Sequence, residues 1–178
     1  MADTIAMIGL VRTQQATSSN LVLNTNLTGK EYDTLESAAN EWNSALGRDA
    51  VSIQKGDVST NARKSDGVNS ITTGQLGGNA LGVTYSHTGT ISNSQGGTTA
   101  KNEVDIIIEP TNDPDTFKSV ALHEIGHALG AEHVDEEDAI MNATLETGGG
   151  AEPPTKLTAA DINSVKNSAT GGYVNKYA

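Results

Sequence analysis

The stretch HEIGHALGAEH, residues 123 to 133, constrains this chain more than any other, because it gathers three of the four histidines present. On an α-helix a step of four residues turns by about 400°, so His123 and His127 stand on one face, roughly 6 Å apart along the axis. Gly130 can adopt the left-handed backbone that stops a helix, and His133 can then return toward the same point from another direction. Any fold adopted here therefore contains a helix that ends near residue 130, a sharp bend, and room for three imidazoles to meet.

Three nitrogens arranged in this way cover one side of a tetrahedron and leave the fourth position for water, which separates catalytic zinc sites from closed structural ones. The chain has no cysteine, so thiolate ligands, disulfides and cysteine nucleophiles are excluded together. Glu124 points about 100° around the helix from His123, a direction better suited to reaching a bound water than to ligation. The expected chemistry is amide hydrolysis: zinc lowers the pKa of its water to about 7, and the carboxylate takes the proton and returns it to the leaving amine. His87, in TYSHTGT, has no ligand-type neighbours in sequence and reads as an ordinary polar residue.

The surrounding pattern is that of one α+β domain. Tyr32, Leu35, Ala38, Ala39, Trp42, Ala45 and Leu46 recur at helical intervals behind Thr28 and Glu31, which have capping-box spacing. A second helix is expected from Thr116, with Asp113 or Asp115 as its cap, Pro114 as a stop before it, and Phe117, Ala121, Ile125 and Ala128 as its core stripe. A last helix starts at Thr158 with Asp161 three residues on, and Ile162, Val165 and Ala169 form its buried side. Strands are expected at residues 21 to 23, 51 to 54, 71 to 73, 80 to 85 and 104 to 108, the last of them apolar enough to be covered on both faces. Residues 1 to 20 carry no clear period and read as an N-terminal arm or linker, leaving 21 to 178 as the domain.

With 22 acidic and 11 basic residues the net charge is −11, which repels phosphate backbones and anionic lipid, so neither nucleic acid nor a membrane surface is an expected partner. No stretch reaches the length of a membrane span, and the apolar run at residues 5 to 11 is too short and follows an acid, so no signal peptide is read in this chain. The acidic segments EPTNDPD and VDEEDA lack the regular alternation of a calcium loop; calcium is weakly supported and a solvated acidic face is the simpler reading.

His123, Glu124, His127, Gly130 and His133 fill the pattern HExxHxxGxxH, and DAIMNA places Met141 eight residues after the third histidine. In both features the chain resembles the metzincin zinc endopeptidases, and within them the matrixins. AANEWNSAL resembles the family's first helix, DGVNSI and GGNALGVTYS resemble segments of bacterial matrixin-like proteins, and KLTAADINSV resembles the start of the closing helix. The resemblance implies a twisted five-stranded mixed sheet with three helices, and an active-site cleft between an upper N-terminal part and a small lower C-terminal part. It implies one catalytic zinc, with Met141 as an apolar floor beneath it and Gly130 as the bend. It also implies a monomeric, secreted or extracellular protein acting on a peptide or protein. The strand at residues 80 to 85 would be the antiparallel edge above the cleft, with Leu81 and Gly82 touching substrate. The loop from 144 to 155 would wall the pocket beyond the scissile bond, its three glycines making it mobile. Two departures stand out: a second, structural zinc is not expected, since only His87 is left to bind it, and the cysteine used for latency in that family is missing. An alternative reading keeps the fold and the zinc but uses the cleft only to bind a peptide or protein partner, and a zinc hydrolase of some other amide is also compatible with the spacing. The intact Glu124 favours the enzyme.

Overall fold

The computed structural model describes residues 3–6, 20–92, 98–147 and 152–170. Leu21, Leu23 and Thr25 are buried on one side of β2 (Leu21–Thr25), while Val22 and Asn24 on the other side are half-buried; this alternation sets the strand's inner face. The label β1 belongs to Asp3–Ala6, described below. Helix α1 (Gly29–Leu46) buries Leu35, Ala38, Ala39 and Trp42, with Tyr32 and Leu46 packed at the margin. It leads into β3 (Val51–Lys55), parallel to β2, so the helix is the crossover that parallel pairing requires. The capping box is not made. Thr28 is the N-cap residue, but Gly29 follows it at φ +60° and the Thr28 hydroxyl caps no N–H group. A residue in the left-handed region takes the chain off the path on which a cap side chain reaches the first turn.

β4 (Ser70–Thr73), β5 (Gly82–Ser92) and β6 (Thr98–Ile108) complete a five-stranded sheet of order β3-β2-β4-β6-β5. Only β5 is antiparallel to its neighbour, and it forms one edge of the sheet. β5 and β6 run further than the strands expected from their apolar stretches, paired from Gly82 opposite Ile108 to Ser92 opposite Thr98. Val104, Asp105, Ile106 and Ile108 of β6 are all buried, so successive residues meet protein on both faces.

α2 (Pro114–Ala128) begins two residues before the expected Thr116. Asp113 is its cap, accepting from the Thr116 N–H at 3.1 Å, and Pro114 opens the helix, where a missing N–H costs nothing. From Ser119 to Ala128 every residue of α2 is buried, because the helix packs against α1 on one side and β5 and β6 on another. Full burial of Leu122 or Ile125 contributes about 1.5–3 kcal/mol each.

Below α2 lie β7 (Thr144–Thr147) and α3 (Ala159–Thr170). The N-terminal segment expected as an arm contributes β1, which pairs antiparallel with β7, Asp3 opposite Thr147 and Ala6 opposite Thr144. Gly148, Gly149 and Gly150, the expected mobile part of the pocket loop, lie outside the described residues, as do residues 7–19. On α3 the buried positions are Asp161 and Val165, with Ile162 half-buried; the side chain of Ala169 is outside the described set. Asp135, Glu136, Glu137 and Asp138 of the second acidic segment are exposed. No described helix is long and apolar enough to cross a membrane.

Candidate active site

The last turns of α2 carry His123 and His127 inward, and the chain bends directly after them. Leu129 closes the helix and Gly130 takes φ +98°. That bend lets the Ala131 N–H return to the Gly126 carbonyl at 2.8 Å and carries His133 back toward the helix. His127 Nε2 lies 3.0 Å from His123 Nε2 and 3.1 Å from His133 Nε2. The structure thus brings the three predicted histidines together.

The outer nitrogens decide what the inner ones can do. His123 Nδ1 is 2.7 Å from the Ile140 carbonyl and His127 Nδ1 is 2.9 Å from the Ala131 carbonyl. A carbonyl only accepts, so both Nδ1 atoms carry hydrogen and, in neutral rings, both Nε2 atoms present lone pairs. Burial keeps the rings neutral: desolvation, reinforced by the neighbouring imidazoles, holds His123 well below the ordinary histidine range, and desolvation takes His127 down to about 4. His133, less enclosed, is lowered by the same desolvation. Lone pairs facing each other at this range repel unless a cation lies between them. With no thiolate available, a set of three imidazole nitrogens suits zinc, and carbonyl partners on the far side of two rings fix their orientation.

Glu124 is fully buried on α2, against β5. Its Oε2 accepts from the Thr84 hydroxyl at 2.6 Å, and that same hydroxyl oxygen is 3.1 Å from the Glu124 carbonyl oxygen. Glu124 Oε1 is buried without a hydrogen-bond partner. Desolvation raises the Glu124 pKa to about 8, partly countered by the Thr84 bond.

Met141 is fully buried and packs on Gly126, the helical residue just before His127; a Cβ on Gly126 would collide with Met141 Sδ and stand 2.9 Å from Trp42 Cζ2. The turn bearing Met141 is tied to α3 by Asp161, which accepts from the N–H groups of Ile140 and Met141 at 3.2 and 2.7 Å and from Thr158 N and Oγ1 at 2.7 and 2.9 Å. The Thr158 to Asp161 spacing marked the start of the last helix; the second task of Asp161, holding the turn whose Ile140 carbonyl orients His123, has no local sequence signal.

The two residues expected at the substrate edge differ. The Leu81 carbonyl accepts from the Glu109 N–H at 2.8 Å, turned toward β6, and the Leu81 side chain packs against the core. Peptide groups alternate sides along an antiparallel strand, so those of Gly82 and Thr84 face the free edge. Consistently, Ile108, opposite Gly82, gives its carbonyl to the Gly74 N–H on the β4 side, 3.0 Å away.

His87 has neighbours that its sequence surroundings did not reveal. The β5–β6 register sets it opposite Glu103, and its Nε2 lies 3.8 Å from Asp105 Oδ2 and 2.8 Å from the Ala62 carbonyl. Glu103 accepts from Ser65 Oγ and from the N–H groups of Asp66 and Gly67, and Asp105 Oδ1 accepts from Ser70 Oγ, so the group fastens the long loop between β3 and β4 onto the sheet.

A five-stranded mixed sheet above a helix whose two histidines meet a third beyond a glycine bend defines a metzincin-like zinc metallopeptidase. The chain belongs to the matrixin family of peptidases, whose model matches residues 30–168. Among solved structures, a crystal structure of myroilysin is similar in fold, with 12% identity and a TM-score of 0.51 over 92% of this chain and 91% of that one. A second structure of myroilysin matches at 12% identity and a TM-score of 0.49, over 96% of this chain and 100% of that one. Archaemetzincin from Methanopyrus kandleri matches at 11% identity and a TM-score of 0.45, over 85% of this chain and 96% of that one. No curated protein matches.

Proposed function

We propose that this zinc metallopeptidase is an endopeptidase in which His123, His127 and His133 hold one zinc ion and Glu124 is the general base. When bound, zinc supplies Lewis acidity, making water more acidic and polarising the scissile carbonyl. The protein's residues do the rest. Gly82 and Thr84 offer free-edge peptide groups that pair with an extended substrate, as strand addition requires. Glu124 takes a proton from the attacking water at Oε1 and passes it to the leaving amine. Met141 packs beneath the helix that carries the histidines, and Gly130 makes the bend that returns the third one. Leu81, with its carbonyl taken by the Glu109 N–H and its side chain packed against the core, holds the edge strand in place beside the residues that meet the substrate. Residues 21 to 178 form the catalytic domain and residues 1 to 20 an arm that lays β1 along β7; the protein works outside the cell, as a monomer.

The observation that carries this reading is Glu124 itself: a fully buried carboxyl with one oxygen left without a partner, one residue from a metal-ligand histidine. A module that only binds peptides has no use for a carboxyl so placed, and burying one without function costs stability. The test is Glu124→Gln in the zinc-loaded protein, assayed on a quenched-fluorescence peptide library. Cleavage by the natural sequence, with loss of at least about a hundredfold in the variant and one zinc per chain retained in both, is the expected result. A natural protein that binds zinc and peptides but cuts none of them selects the binding-module reading instead.

A further inference from the structure

We propose that Thr84 is the positioning residue for Glu124, and that the substrate-edge strand β5 thereby also aims the base. The inference rests on the endopeptidase reading above and adds to it a division of labour between the two carboxylate oxygens.

Thr84 is fully buried and faces α2 from the edge strand. Its hydroxyl lies 2.6 Å from Glu124 Oε2 and 3.1 Å from the carbonyl oxygen of the same residue, so it sits between the backbone of Glu124 and the end of its side chain. One group in contact with both ends of a side chain restricts the torsions between them. Oε2 is thereby occupied and Oε1, which has no partner, is the oxygen left for the reaction.

Gly82, two residues back and on the same face of β5, completes the seat. A Cβ there would collide with Glu124 Oε1 and stand 2.7 Å from both Glu124 Cγ and Val120 Cγ1. Real Cβ atoms do not come so near, so any larger residue displaces the carboxyl. Glycine at 82 gives the space and threonine at 84 gives the anchor, while their peptide groups face the edge where an extended substrate adds. The docking surface and the anchor of the base then belong to one strand, and a substrate seated on that strand meets Glu124 in a fixed place.

The experiment compares Thr84→Val and Thr84→Ser with the natural zinc-loaded protein on the same peptide. Valine keeps the shape and removes the hydroxyl; serine keeps the hydroxyl and removes the methyl. For Thr84→Val, kcat is expected to fall about tenfold to a hundredfold, the scale of a misplaced catalytic group, with KM and zinc content unchanged. Thr84→Ser is expected to restore most of kcat. A second readout needs no turnover: the infrared band of the Glu124 carboxyl, identified by its loss in Glu124→Gln, shifts in Thr84→Val and stays in place in Thr84→Ser. An unmoved band with kcat intact in Thr84→Val overturns the proposal. So does a serine variant as impaired as valine, which assigns the effect to packing. Absence of cleavage by the natural protein strikes at the endopeptidase reading, and the infrared band still tests the Thr84 contact.

Discussion

Replacing Asp161 by asparagine exchanges an acceptor-only group for one that has a donor end, at a place where four donors converge. The Oδ2 position accepts from Ile140 N, Thr158 N and Thr158 Oγ1, and the Oδ1 position accepts from Met141 N. Asparagine keeps its oxygen where three donors meet, which leaves its amide NH2 against the Met141 N–H. One hydrogen bond is lost with its donor stranded in the interior, and three weaken because the acceptor is no longer charged. Losing a partner for a buried N–H costs about 1–3 kcal/mol, and bonds to charged groups exceed neutral ones by roughly 1 kcal/mol. Allowing for relaxation, the net loss is about 3 kcal/mol, which in a domain of this size lowers Tm by about 6–12 °C. The same turn supplies the Ile140 carbonyl, 2.7 Å from His123 Nδ1. Disturbing such an outer partner of a metal-ligand histidine weakens zinc affinity about tenfold or more. Urea unfolding of the metal-free protein and zinc competition against a chromophoric chelator measure the two effects separately. A loss below about 1 kcal/mol with unchanged zinc affinity would refute the view that Asp161 ties the turn to α3.

Gly126→Ala places a methyl against Met141 Sδ and 2.9 Å from Trp42 Cζ2; it should destabilise by about 1–2 kcal/mol despite alanine's better helix propensity, and a gain in Tm contradicts that packing. Asp105 has its carboxyl pKa raised to about 6, first by burial and then by nearby Glu103 and Asp66, with the Ser70 bond opposing. Its raised pKa stabilises the fold fully below about pH 4, and that contribution disappears as pH rises through 6, so Asp105→Asn should match the natural protein near pH 4 and exceed it by about 1–3 kcal/mol above pH 6; a difference that does not change with pH in urea titrations rules this out. Removing zinc with a chelator leaves the Nε2 lone pairs of His123 and His127 opposed at 3.0 Å, so Tm should drop by about 10 °C and recover with one equivalent of zinc; a melting curve indifferent to chelation contradicts the metal-centre assignment.

What could be read in advance divides according to sequence distance. The helix, the glycine bend and the third histidine lie within eleven residues, so elementary helix geometry is enough to bring them together. The core face of α1 follows from periodicity alone, whereas the apolar run at residues 21 to 23 marked β2 without telling that Val22 is only half-buried. Thr84 escapes such reading because its partner is 40 residues away and a threonine in a strand looks like any other. Asp161 announced only its local bond to Thr158; the bonds to Ile140 and Met141, about 20 residues back, depend on how α3 docks. Leu81 and Gly82 were both placed at the edge, but which of them turns its peptide groups outward depends on the register with β6, and neighbouring residues in a strand face opposite ways. The capping box failed for a local reason that was present in the sequence: a glycine directly after Thr28 can take the left-handed path.

Trp42, the chain's single tryptophan, is fully buried and donates from Nε1 to the Leu122 carbonyl at 2.9 Å, one residue before His123. The protein therefore carries one intrinsic fluorophore hydrogen-bonded to the backbone of the helix that bears two of its histidines. Any loosening of that helix lets solvent reach the indole and moves its emission to the red, so a cuvette and ultraviolet light can follow the health of the centre without a label or a substrate.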